Sequence, residues 1–318
     1  MKIVPFSLFI GLLLTVSFVA KTQVNYPAPS KSLELTIEGR TVQMSYMDIA
    51  PASPIGKTIL LLHGKNFNGY YWKNLIPFLT KAGYRIIAPD QVGWGKSDHP
   101  NIHYSFHMLA NNTKTLLDSL GIKKVTVLGH SMGGMLATRF VTMFPEITDK
   151  LILENPIGLE DYKTFLPYTP LEKSYQKEKK ATYESYKKYQ QSYYPAWKPD
   201  YEQYVQAQAA DLQSPIFDSI AWANAITFQM IYEQPVCYEF GRIKVPTLLV
   251  IGQADRTVVG KDQLNEEQKK IYGQYPALGK STQRKIKNSI LKELPGIGHI
   301  PHVQDISMFE KSIADFLK

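Results

Sequence analysis

Hydrophobic and polar positions change period repeatedly along the chain, and the changes outline its elements. Leu33 to Ile37 and Val42 to Met47 alternate apolar with polar residues, the two-residue period of strands with one wet face. Thr58 to Leu62 is apolar almost throughout, as a strand covered on both faces requires. Helical spacing then runs from Trp72 to Lys81 and stops at Ala82-Gly83, and Tyr84 to Ala88 is a short apolar strand halted by Pro89. A second helix is predicted from Phe106 to Leu120, closed by Gly121, followed by strand Val125 to Leu128, helix Met132 to Phe144 closed by Pro145, and strand Leu151 to Leu153. Strands alternating with helices of this length need right-handed crossovers. The fold class is therefore α/β, with a mostly parallel central sheet and helices on both faces.

The alternation stops between about Gly158 and Phe240. No strand pattern appears there, and a Lys/Glu/Gln/Tyr-rich helical character takes over, as in Glu172 to Gln191. This predicts an inserted helical cap. Strands and helices alternate again with strand Thr247 to Ile251, a polar helical stretch near Lys261 to Tyr272, strand Ile290 to Leu294 and a final helix from about Ile306 to Leu317. No internal repeat or low-complexity linker separates these parts. The chain thus divides into a first part of the core at 21–157, a cap at 158–240 and a second part of the core at 241–318.

Residues 1–20 stand apart. Lys2 is followed by an apolar run from Ile3 to Ala20 and then by polar Lys21-Thr22-Gln23, the form of a secretory signal. A cut after Ala20 puts bulky Phe18 at the third position back, and one after Ser17 puts Thr15 there, so an uncleaved N-terminal anchor is the alternative. Either way the body is expected to be exported, to a periplasm or outside the cell.

Composition narrows the partners. In 318 residues, 36 Lys+Arg against 28 Asp+Glu give a net charge of +8, but the basic residues are scattered lysines rather than an arginine stripe with interleaved aromatics, so nucleic acid is not an expected partner. Hydrophobic residues at 44% are enough for a buried core. The single cysteine, Cys237, can close no intrachain disulfide and cannot anchor a multi-cysteine zinc site.

The candidate chemistry begins at strand Val125 to Leu128, which runs into Gly129-His130-Ser131-Met132-Gly133-Gly134 and at once into helix. A serine on such a sharp strand-to-helix turn needs glycines around it for steric room, and its hydroxyl projects at a helix N-terminus where developing negative charge is stabilised. A serine hydroxyl needs a base, and the base needs a carboxylate to orient it. Asp255 follows strand Thr247 to Ile251, and His299 follows strand Ile290 to Leu294; in open parallel sheets such loops gather on one rim. Glu154 lies just past the strand at Leu151 to Leu153, and its place as a backup acid is what a resemblance to known enzymes implies. His103 and His107, four apart at a helix start, form a metal-compatible pair but lack a third ligand nearby in sequence, so a surface or cap contact is expected. His63 and His302 are read as structural neighbours of the site, and the cap tyrosines Tyr175, Tyr183, Tyr186, Tyr189, Tyr193 and Tyr194 as packing residues, one or two of which line the pocket.

The order Ser131, Asp255, His299 resembles that of the α/β-hydrolase fold family, and so do three further segments: Leu61-Leu62-His63-Gly64-Lys65-Asn66, Pro89-Asp90-Gln91-Val92-Gly93-Trp94-Gly95-Lys96-Ser97 and Gly298-His299. The likeness extends over essentially the whole chain after the leader and looks closest to the cap-bearing esterase, epoxide hydrolase and haloalkane dehalogenase branch. The last two use an aspartate nucleophile, so Ser131 argues against their chemistries. The resemblance implies an oxyanion hole built from the backbone N–H groups of Met132 and Lys65, with the Lys65 side chain expected to face solvent, and a loop-shaping role for Asp90. It implies hydrolysis of a small or medium carboxylic ester through an acyl-enzyme, with no cofactor and no metal. The same three residues would serve carbon–carbon bond hydrolysis, acyl transfer or amide hydrolysis. A ligand-binding receptor on the same fold is the reading from another class.

Overall fold

A computed structural model describes residues 24–318. The leader at 1–20 lies outside the described residues. β1 (Ser30–Ile37) and β2 (Arg40–Ile49) form a hairpin whose turn residues Glu38 and Gly39 have φ of 51° and 73°, the positive values that match the twist of two paired strands. After it come β3 (Thr58–Leu62), α1 (Ile76–Lys81), β4 (Arg85–Pro89), α2 (Phe106–Ser119), β5 (Val125–His130), α3 (Met132–Met143) and β6 (Thr148–Glu154). The cap contributes α4 (Leu171–Lys179), α5 (Tyr183–Gln191), α6 (Glu202–Ala209) and α7 (Phe217–Glu233). The chain returns to the sheet with β7 (Thr247–Gly252), α8 (Glu266–Ile271), α9 (Tyr275–Lys285), β8 (Ser289–Leu294), α10 (Pro301–Gln304) and α11 (Ile306–Leu317).

The eight strands form one sheet in the order β1-β2-β4-β3-β5-β6-β7-β8. β2 pairs antiparallel with β1 and with β4, and every pairing from β4 to β8 is parallel. Alternating residues of one strand feed two cores. Leu60 and Leu62 of β3 pack with Leu109 and Leu116 of α2 and Phe140 of α3, while Ile59 and Leu61 pack with Leu79 of α1 and Phe309 and Ile313 of α11. That two-sided burial is why β3 carries no polar alternation.

Two elements differ from the sequence pattern. The helix expected from Trp72 to Lys81 is split into a 3-10 turn at Gly69–Asn74 and α1, because Pro77 stands in the first turn of α1 and has no N–H to carry one continuous helix through. α9 has no counterpart among the elements expected from periodicity: Gly279 and four charged or amide side chains mask its apolar spacing, yet a Cβ at 279 would lie 3.0 Å from Ile251. The glycine lets α9 approach β7. Among the described residues no helix is long and apolar enough to cross a membrane.

Candidate active site

Ser131 sits between β5 and α3 with φ 56° and ψ −121°, a positive-φ conformation forced where a strand must reverse into a helix within one residue. The reversal requires close backbone approach on both sides. A Cβ at Gly133 would lie 2.0 Å from the Leu62 carbonyl oxygen, and one at Gly129 2.2 Å from that of Gly133.

The loops after β7 and β8 bring two further polar side chains to this turn. Ser131 Oγ lies 2.9 Å from His299 Nε2, and His299 Nδ1 lies 2.8 Å from Asp255 Oδ2. Asp255 is held in turn by two other donors: Asn155 Nδ2 donates to Oδ2 at 2.7 Å and the Thr257 N–H to Oδ1 at 2.8 Å. Burial alone would raise the pKa of this carboxyl, but the neighbouring His299 and the hydrogen bonds outweigh it and hold the pKa below the ordinary aspartate value. The row is screened from water, with Ser131 7% exposed, Asp255 2% and His299 1%. The cap supplies part of the screen: the Tyr193 ring stacks on His299 at 4.9 Å, its carbonyl accepts the His299 N–H at 2.7 Å, and its hydroxyl accepts from Asn66 Nδ2 at 2.9 Å.

Other singled-out residues fall around this row. Glu154 does not touch His299; both of its oxygens lie on His302 Nδ1, at 2.8 and 3.0 Å, and Oε1 also accepts the His302 N–H. His63 Nε2 accepts the Gln91 N–H at 3.0 Å, and burial lowers its pKa. Asp90 shapes its loop by accepting from the Gly69 and Lys96 N–H groups and from the Tyr26 hydroxyl. His107 lies against Arg139 at 2.6 Å, not against His103. Among the described residues no group of three His, Cys, Asp or Glu side chains is placed to hold a metal ion.

Met132 opens α3 directly after Ser131, and Gly64, one residue before Lys65, packs close enough that a Cβ there would be 3.2 Å from Ser131 Cβ. The expectation of a solvent-facing Lys65 side chain is corrected. The residue is half-buried, burial lowers its pKa, and the charges acting on it are Glu178 and Lys177 of α4, because the cap covers this loop. Sequence reasoning also passes over Asn155, with φ 36°, and the contact of Tyr193 with the histidine. Asn155 stands one residue beyond the end of β6, a position where strand-end geometry alone would mark it.

The chain is similar to known proteins. The family model described as alpha/beta hydrolase fold matches residues 57–305. A solved structure of a probable hydrolytic enzyme from Pseudomonas aeruginosa PAO1 is 42% identical, covers 92% of this chain and 96% of its own, and superposes with a TM-score of 0.90. An uncharacterized protein of Mycobacterium tuberculosis is 38% identical over 124 residues, which is 39% of this chain and 36% of that relative. A 2-hydroxy-6-oxononadienedioate/2-hydroxy-6-oxononatrienedioate hydrolase of Escherichia coli is 36% identical over 130 residues, 40% of this chain and 44% of that enzyme. The chain thus spans well under two thirds of the length of these two curated relatives.

Proposed function

Because the chain belongs to the alpha/beta hydrolase fold family, we propose that it is a serine hydrolase that cleaves a small or medium carboxylic ester through an acyl-enzyme. The observation that carries this reading is the uninterrupted row Ser131 Oγ to His299 Nε2 to Asp255 Oδ2. In it, His299 removes the hydroxyl proton as Oγ attacks the ester carbonyl, and Asp255 keeps the remaining ring proton on Nδ1. The oxyanion is received by the N–H groups of Met132 and Lys65. His299 then delivers its proton to the departing alkoxide. Water, deprotonated by the same imidazole, attacks the acyl-serine and releases the carboxylic acid with Ser131 restored.

A second reading is hydrolysis of a carbon–carbon bond by the same residues, favoured by the likeness to the Escherichia coli dienedioate hydrolase. Two experiments test the proposal. A fluorophosphonate should label Ser131 in the parent, and Ser131→Ala should remain folded while losing about 10³-fold or more in kcat on activated esters. Labelling elsewhere with Ser131 unmodified would reject the nucleophile. Turnover of a 2-hydroxy-6-oxodienoic acid with no turnover across a broad ester panel would replace the first reading by the second.

A further inference from the structure

His130, immediately before Ser131, is fully buried and belongs to none of the steps above. Its ring bridges two parts of the site. Nε2 lies 2.8 Å from the carbonyl oxygen of His299, and Nδ1 lies 3.2 Å from the Tyr71 hydroxyl, which in turn accepts the Gly64 N–H at 2.8 Å. The protons in this row are determined by its ends. A carbonyl oxygen can only accept, so Nε2 carries the proton, and in a neutral ring Nδ1 is then bare. From the other end, the Tyr71 oxygen already accepts the Gly64 N–H, which leaves its own proton for Nδ1. The two assignments agree, and burial together with the neighbouring His299 and His302 holds the pKa of His130 well below the ordinary value.

The row therefore joins the turn that precedes Lys65 to the main chain of His299. We propose that Tyr71, acting through neutral His130, is a positioning residue that holds the Gly64-Lys65 turn and the His299 loop in mutual register around Ser131. The proposal rests on the serine hydrolase reading above for its kinetic consequence, but the proton arrangement stands on geometry alone. A ring donating at Nδ1 would face the Tyr71 oxygen with a second donor and turn a lone pair toward the His299 carbonyl.

Nitrogen-15 NMR of the histidine-labelled parent protein is expected to show one buried ring protonated at Nε2 and bare at Nδ1, identified as His130 by its loss in His130→Gln. Tyr71→Phe should leave His130 protonated at Nε2, since the His299 carbonyl still fixes it, shift the resonance of the bare Nδ1 as its donor is lost, and lower both kcat and the rate of fluorophosphonate labelling by about 10- to 100-fold, with KM within about threefold. His130→Gln, which keeps an N–H for the His299 carbonyl, should retain about tenfold more activity than His130→Phe. A parent His130 protonated at Nδ1, a Tyr71→Phe kcat within about twofold of the parent, or equal activity of the two His130 variants would each overturn the proposal. Absence of Ser131 labelling in the parent would instead reject the hydrolase reading, with the NMR result still deciding the proton arrangement.

Discussion

Two carboxylates near Ser131 each hold a histidine, and only one of the two histidines reaches the hydroxyl. Asp255 orients His299, whereas Glu154 orients His302, whose Nε2 is buried with no hydrogen-bond partner among the described residues and whose ring stacks on Trp72 at 4.5 Å. The difference in partner predicts a difference in effect. Asp255→Asn should lower kcat by about 10³- to 10⁴-fold, since an amide can donate to His299 Nδ1 and favour the wrong tautomer. Glu154→Gln should cost less than about tenfold in kcat while lowering stability by about 1 to 3 kcal/mol through loss of a buried, charge-assisted contact. Steady-state kinetics and urea denaturation of both variants check this. A larger kcat loss in Glu154→Gln would transfer the orienting role to the end of β6.

At the scale of elements, one of the contacts that fasten the cap to the site is a close approach of main chains. A Cβ at Gly298 would lie 2.2 Å from the Tyr193 carbonyl oxygen, the same oxygen that accepts the His299 N–H. Glycine is required there because the cap main chain passes over the His299 loop with no room for a side chain. Gly298→Ala should therefore displace the Tyr193 segment, cost about 1 to 3 kcal/mol by overpacking, and lower kcat by about tenfold or more as His299 loses its N–H acceptor and stacked ring. A variant with parent-like stability and kinetics would show that the cap does not hold His299. Packing between elements also explains why two of them leave a misleading pattern in the sequence. Pro77 breaks the expected helix, and the polar exterior of α9 hides a packing surface that exists only against β7.

Over the whole molecule, burial creates a pH dependence of folding. His63, His99 and His130 all have pKa values lowered in the folded protein, that of His99 to about 4, mainly by desolvation. As pH falls through about 6.5 the unfolded chain takes up these protons and the folded one does not, so stability is lost below that pH. Two buried carboxyls act the other way. Asp211, raised to about 6, and Glu160, also raised by burial, are protonated in the folded state before the unfolded one and add stability as pH falls. His107, lowered by partial burial and the Arg139 charge, adds to the histidines, so the groups favouring unfolding outnumber the two carboxyls and stability should fall as pH drops from about 7 to 5. Denaturant titrations at about pH 7, 6 and 5 should show that decline, and Asp211→Asn, which removes a carboxyl that favours the folded state as pH falls, should steepen it. Stability independent of pH across this range would contradict the assignment.

The parallel architecture and the order of Ser131, Asp255 and His299 were legible in the sequence because both rest on local chemistry. A strand buried on two faces must be apolar throughout, and a serine reversing from strand to helix must be flanked by glycines that no neighbour can replace. What covers the site was decided only in three dimensions. Lys65 lies beneath α4, Tyr193 lies over His299, and Tyr71, 59 residues from His130 in sequence, completes a proton arrangement with it. None of these contacts leaves a periodic mark, because each depends on one side chain meeting a distant loop. Long-range packing chose between Asp255 and Glu154 for the same reason: both stand at the ends of neighbouring strands, and only the path of the chain after β8 brings His299 to one and His302 to the other.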